Sequence, residues 1–570
     1  MSFDAEARFA QVPDIEHSRS IFKRSSGNML TFNVGELVPV YLDEILPGDS
    51  VSIQTSKVVR LQTLERPLFS NLFLDTYWFF VPNRLCWSHW KEFCGENTES
   101  AWIPETTYTM PKIKTPAGGF AVGTIADYFG LPVNQEWDAT HPRHPSSLPF
   151  RAYALICNEF FRDQNVSDPL HIPLDESTQQ GSNGSNYIQD VANGGKPFIA
   201  AKTHDYFTSC LPSAQKGSAV NVPLPESFSG FAPVFARPIN VPTDYHNTTT
   251  LNPLRTLQVN KNSVPKPDST YDGLWYAYDG TYFGDYLRPY KFETASNDNY
   301  FVSPRNLWAD IPTVSNGVNT LTINQLRLAF QTQRYLEQLA RSGSRYIELI
   351  RGFFGVTSPD ARLQRPEYLG GNRVPLNIHQ IANTSATETA FLGDVGALSV
   401  TGDVHYDFDK SFTEHGFLIG LAVVRYDHIY SQGINRLWSR NTFTDYYLPV
   451  FANLGEQPVY SSEIYYQPGH EDDVFGFQEA WAEYRYKPST TCGEMHVGIN
   501  NSLALWHLGD YYTQQPTLSD SWIREDKAPV DRALSVTSQI SNQIFSDWWF
   551  DATYTRCMPM FSVPGMIDHN

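Results

Sequence analysis

The chain has 570 residues, of which 41% are hydrophobic and 14% aromatic, enough for a large core and too many for one small domain. Its net charge of −19 argues against a dedicated nucleic-acid binder, because an acidic body repels a polyanion unless cations are clustered. With 38 prolines and 36 glycines and few long helical patterns, the composition predicts a β-rich, loop-rich fold. Six cysteines (Cys86, Cys94, Cys157, Cys210, Cys492, Cys557) lie scattered without a CxxC pair. They read as buried free thiols in a reducing cytoplasm, not as zinc ligands. The longest apolar run, near Phe417–Val424, is too short to cross a bilayer, and no apolar signal core opens the sequence; a soluble protein made in the cytoplasm is expected.

Residues 1–30 are polar, with a small basic cluster at Arg19, Lys23 and Arg24. They read as a solvated arm, with an internal arm touching DNA or a neighbouring subunit as the alternative. TFNVGELVPVYL and VSIQTSKVVRLQTL predict strands about the turn Pro47-Gly48-Asp49, and LFLDTYWFFVP a fully buried strand. NRLCWSHWKEFCGE predicts a short helix with Trp87, Trp90 and Cys94 on its core face. The glycines between Gly118 and Gly123 lack a following Gly-Lys-Ser/Thr, so they are no phosphate loop. Residues 149–168 predict a helix with Ala152, Leu155, Ile156 and Phe160 on one face and Arg151, Glu159 and Arg162 on the other.

Residues 222–305 hold ten prolines and fifteen aromatics and no convincing helix. A long insert of this kind is usually functional or protruding, and its aromatics Trp275, Tyr276, Tyr278, Tyr282 and Tyr286 suit a recognition surface; a loop that merely packs on itself is the rival. From Thr322 a capping box with Gln325 opens a helix, and a second short stripe begins at Tyr346. Ser358-Pro359-Asp360, Arg365-Pro366 and Gly370-Gly371 then mark a built loop. Between Asn324 and Pro375 stand eight arginines, four acids and no lysine. Arginine's planar fork suits carboxylates, phosphates and aromatic faces; structural or intersubunit use is favoured over DNA contact.

LSVTGDVHYDFD and GFLIGLAVVRYDHIY predict strands. His405, His415 and His428 lack HxH or HExxH spacing and read as ordinary strand histidines. Glu479 and Glu483, at four-residue spacing, could share a helix face, but Arg485 and Lys487 nearby fit salt-bridged packing or an interface better than paired-acid catalysis. Glu471-Asp472-Asp473 reads as a solvated acidic loop. MHVGINNSLALWHL predicts a strand, and SDWWFDATYTRCMPMFSVPGMIDHN a tail packed on the body or a neighbour.

Two runs, RYIELIRGFFGVTSPDARLQRPEYLGG (345–371) and VFGFQEAWAEYRYKPST (474–490), closely resemble the major capsid protein of the microviruses, small single-stranded-DNA bacteriophages, in their gokushovirus branch. LPGD, FFVPNRL with WSHWKEF, RAYALICNEFFRDQN and CLP…QKG resemble further blocks of that family, in similar order.

The resemblance implies a mainly β fold: an antiparallel eight-stranded jelly roll of viral capsid type, with long loop insertions and a few short helices. It divides the chain into an arm (1–30), a first part of the body (31–221), a protruding insertion (222–305) and a second part of the body (306–570). It implies a non-enzymatic structural protein without cofactor or metal, closing a T=1 icosahedral shell around circular single-stranded DNA. A small basic DNA-packaging protein, a host receptor met by the insertion at the three-fold axes, and residence in the virion after assembly in the bacterial cytoplasm are implied too. Candidate subunit contacts are Arg345, Arg351, Arg362, Arg365, Tyr368, Arg373, Trp481, Tyr484 and Arg485; candidate DNA-facing residues are Arg19, Lys23 and Arg24. The alternative is a carbohydrate-binding or glycosidase-like β protein, whose aromatics would stack on sugars.

Overall fold

The computed structural model describes residues 18–97, 106–138, 140–218, 220, 323–382, 384, 392–393 and 395–561, with the backbone of five short strands between 234 and 309. The body strands are β1 (Ser20–Lys23), β2 (Ser26–Phe32), β3 (Val38–Ile45), β4 (Ser50–Leu61), β5 (Leu72–Pro82), β6 (Glu367–Pro375), β7 (Ile378–Ala382), β8 (Val395–Ser399), β9 (Thr401–Ser411), β10 (Gly416–Tyr426), β11 (Gln457–Tyr460), β12 (Val474–Gln478) and β13 (Ile544–Arg556). One sheet runs β1/β2–β13–β4–β9 and the other β6–β5–β10–β3, all antiparallel.

Count β1 and β2, which pair in succession with β13, as one interrupted strand. Then the first strand lies beside the eighth, the second beside the seventh, the third beside the sixth and the fourth beside the fifth. A ribbon of paired strands rolled into two facing sheets is the jelly roll.

The burial pattern follows from the layers. Between the sheets lies a core that includes Val51, Ile53, Trp78, Phe80, Leu418, Trp548, Phe550 and Tyr554. β4 and β13 alternate buried and exposed residues, because only one of their faces meets this core. β5 and β10 are apolar almost throughout. Their second face is covered by α1 (Leu148–Ile156) and its surroundings, where Phe79, Val81, Ile419 and Leu421 join Phe150, Ala152, Tyr153 and Ile156.

Several expectations need correction. Residues 20–32 are strands of the first sheet and not a solvated arm. The aromatic C-terminal stretch is no tail: β13 lies between β1/β2 and β4. The expected helix at 83–96 is two four-residue turns, Asn83–Cys86 and Trp90–Phe93; Trp87 is buried but Cys94 is exposed. MHVGINNSLALWHL forms short 3-10 turns and no strand. Glu479 and Glu483 share no helix face, since Glu479 directly follows β12 and Glu483 sits in a 3-10 turn.

Gly370 and Gly371 belong to β6, where the ladder with β5 shifts between Tyr368 and Gly370. Arg151, expected on a polar face, is fully buried. It donates to the Gln179 side chain (3.0 Å) and to the carbonyls of Cys86 (3.2 Å) and Asp175 (2.9 Å), so carbonyl dipoles replace the water that its charge loses.

The connection from β5 to β6 also carries α2 (Ile323–Ser342) and α3 (Tyr346–Phe354); Thr322 of the expected capping box lies outside the described residues. The chain divides into two compact units, 1–218 with 334–570, and 219–333. Within the second, Leu257–Asn262 pairs with Gly273–Trp275 and Phe301–Pro304, and Val234–Ala236 with Leu307–Ala309.

Candidate subunit-interface surfaces

The arginine-rich segment is a loop held by its own cations. At the start of α3, Arg345 donates to the carbonyls of Asn158 (2.8 Å) and Arg162 (2.9 Å) and pairs with Glu348 (3.2 Å), tying α3 to the π-helical turn Cys157–Phe161 that continues α1. Arg365 pairs with Asp360 (3.3 Å) and lies 4.1 Å over the Phe160 ring. Arg373 grips Asp75 with Nε (2.6 Å) and Nη2 (2.8 Å), and Arg425 donates to the same carboxylate from β10. Burial alone would raise the Asp75 carboxyl, but the two guanidiniums more than offset it and hold it below the usual carboxylate range. Burial also pushes the neighbouring Tyr77 hydroxyl up to about 12.

These arginines are spent inside the protomer. Arg351 and Arg362 are exposed with no side-chain partner among the described residues. Tyr368 is exposed, with its ring against Phe79 (5.4 Å) and Tyr77 (6.5 Å).

Around β12 the sequence-predicted residues separate in the same way. Trp481 is buried at φ +68° and donates to the carbonyl of Phe451 (3.0 Å). A bulky residue in left-handed backbone costs energy that its surroundings must offset. Tyr484 is exposed beneath Arg440 (4.3 Å), Arg440 pairs with Glu483 (3.1 Å), and Arg485 pairs with Glu479 (2.5 Å). Both glutamates are thus ion-paired.

Of the basic cluster, Arg24 pairs with Asp43 (2.6 Å) and covers the Tyr554 ring (5.0 Å), while Arg19 and Lys23 are exposed beside and on β1. Trp275 ends a strand of the second unit; Tyr276, Tyr278, Tyr282 and Tyr286 lie outside the described residues.

Two features escaped the sequence reading. Residues 437–454 form irregular turns carrying Trp438 (77% exposed), Phe443 (70%) and Val450 (87%). A surface this apolar marks a contact site; its sequence signal was aromatic density without any period. The second is His428, fully buried, with Nδ1 3.0 Å from Asp510 and Nε2 3.1 Å from Glu525. Burial works against its charge, but the two carboxylates win and raise it to about 9. Among the described residues no group of three or more potential ligands could hold a metal ion, and no helix is long and apolar enough to cross a membrane.

A two-sheet jelly roll with long irregular connections and exposed apolar turns defines the class: a viral shell subunit. The comparisons agree with this. Residues 10–566 match the model of the capsid protein (F protein) family, and the chain belongs to that family. It is 39% identical to capsid protein VP1 of Spiroplasma virus 4 over 548 residues, covering 94% of this chain and 93% of the relative. It is 37% identical to capsid protein VP1 of Bdellovibrio phage phiMH2K, over 98% of this chain and 97% of the relative. Against that of Chlamydia phage 1 it is 36% identical, again over 98% and 97%. These relatives are gokushovirus-type microviruses, and the chain's role is that of a structural, non-enzymatic capsid protein of the virion.

Proposed function

We propose that copies of this chain close a T=1 icosahedral shell around circular single-stranded DNA in the bacterial cytoplasm, and that residues 222–305 form a surface feature used in host attachment. The observation that carries the reading is the apolar surface of the irregular connections, above all Trp438, Phe443 and Val450. A subunit that leaves such side chains in water is incomplete until another copy covers them. Arg351, Arg362 and Tyr368 add exposed polar and aromatic groups on the arginine loop. Arg345, Arg365, Arg373 and Trp481 act one step back, fixing loops whose outer side chains meet the neighbour.

Charge supports the choice of partners. A body of net charge −19 encloses a polyanion at an electrostatic cost, which fits a small basic DNA-packaging protein as co-resident; Arg19 and Lys23 are the candidate direct contacts. The decisive experiment is electron microscopy of purified particles. Closed shells of 60 copies, the number that T=1 symmetry requires, are expected; a monodisperse monomer at assembly concentrations rejects the reading.

A further inference from the structure

A cavity of about 450 Å³ lies between the segment after β10 and the turn after β12, a size within the range of small-molecule sites. Its floor is aromatic: Tyr206, Phe207 and Tyr430 are buried there. The two tyrosine hydroxyls are already satisfied, Tyr206 by Glu463 (2.9 Å) and Tyr430 by Asp205 (2.6 Å), so the floor offers ring surface. At the mouth stand Tyr484 and Tyr486, each about half exposed. Tyr484 already lies under Arg440; Tyr486 makes no ring contact among the described residues.

The cavity's charge opposes that of the chain. Arg436 faces Glu463 (3.7 Å), Arg440 pairs with Glu483 (3.1 Å) and Arg485 with Glu479 (2.5 Å). Lys487 at the rim is exposed and has no carboxylate partner among the described residues, which leaves one cation in excess. A second observation points to a ligand. The Arg440 side chain is only 9% exposed, yet its Nε finds no hydrogen-bond acceptor among the described residues. A buried donor left unmet is rare, because it has lost water without replacement.

We infer that this cavity binds one nucleotide of single-stranded nucleic acid, its base stacked on Tyr486 and its phosphate held by Lys487 and the Arg440 guanidinium. The inference rests on the proposed enclosure of single-stranded DNA and gives it a place on the subunit. Stacking on tyrosine is sequence-tolerant because every base has a π-face. One such pocket per copy, repeated around a shell, adds weak contacts into substantial avidity, so an acidic subunit needs no broad basic surface.

The test uses the full-length chain, unassembled, with a fluorescent oligodeoxythymidylate, an abasic oligonucleotide of equal length and inorganic phosphate as probes. Tyr486→Ala should weaken oligodeoxythymidylate binding about 10-fold or more, and Tyr486→Phe should restore it. Lys487→Ala, at an exposed position with no packing to lose, should lower the slope of log affinity against log salt by about 0.7. The inference is overturned if the abasic strand or phosphate binds as well as oligodeoxythymidylate, or if both Tyr486 variants bind like the wild type. It is also overturned if Tyr486→Ala and Lys487→Ala abolish particle formation while binding persists, because the cavity then receives a neighbouring copy. Failure of the unaltered chain to assemble under any condition would instead strike the shell reading.

Discussion

His428 holds two carboxylates together in a place without water. Asp510 and Glu525 are both buried, and their only offset besides the imidazolium is Lys202, 3.9 Å from Asp510 and packed over Trp522. Removing one member of a buried charge group strands the others. His428→Gln should therefore cost about 3–5 kcal/mol, seen as a lower thermal midpoint at neutral pH. The sign with pH follows from the raised value. The contribution is complete below the ordinary histidine pKa of 6.5 and is lost as pH rises through about 9. Between those limits the gap in thermal midpoint between wild type and variant should narrow; a constant gap would mean that the imidazole is neutral throughout. None of this was legible in the sequence, where the spacing of His405, His415 and His428 spoke only against a metal site. The partners of His428 lie 82 and 97 positions downstream, and local pattern carries no information at that range. Arg151 was misread for a related reason: the helical period assigns a side to a residue, but not whether a second layer covers that side.

The elements were legible where one physical cause dominated. The apolar run of β5 and the residues of β4, bounded by Pro47-Gly48-Asp49, announced strands, because burial on both faces or on one leaves its own signature. β13 was taken for a packed tail, although its alternation was present, because its position near the end of the chain outweighed the pattern. Gly370 and Gly371 were read as loop from composition, whereas the ladder with β5 absorbs them through a bulge. Gly371 is there because a Cβ would stand 2.2 Å from the carbonyl oxygen of Thr76 and 2.8 Å from the Tyr368 hydroxyl. Gly371→Ala should push the two strands apart and cost about 1–3 kcal/mol, measured as a shift in thermal midpoint. An unchanged midpoint would show that the bulge can slide to make room.

For the molecule as a whole, the class was legible from a few blocks of residues, but the contact surface was not. The arginines that drew notice because of their density turn mostly inward, and the exposed apolar turns at 437–454 lacked any motif. Val450→Asp should leave the subunit's own thermal midpoint within the range of ordinary surface changes, about 0.5 kcal/mol, while sedimentation shows loss of closed particles. Normal particle yield would move the contact elsewhere. Replacing residues 222–305 by a short linker should spare assembly and abolish adsorption to host cells; infection at the wild-type level would remove attachment from this segment.

The pairing of β1 and β2 with β13 has a consequence for synthesis. Ser20 lies opposite Arg556 and Phe32 opposite Ile544, so the strands made first wait for almost the last residues translated. At about 5–20 residues per second, roughly half a minute to two minutes separate their emergence from the ribosome. Throughout that interval β4 also lacks one of its two neighbours. A nascent or prematurely released polypeptide cannot seal its own barrel, and it stays a client of chaperones and proteases instead of a competitor for places in the growing particle.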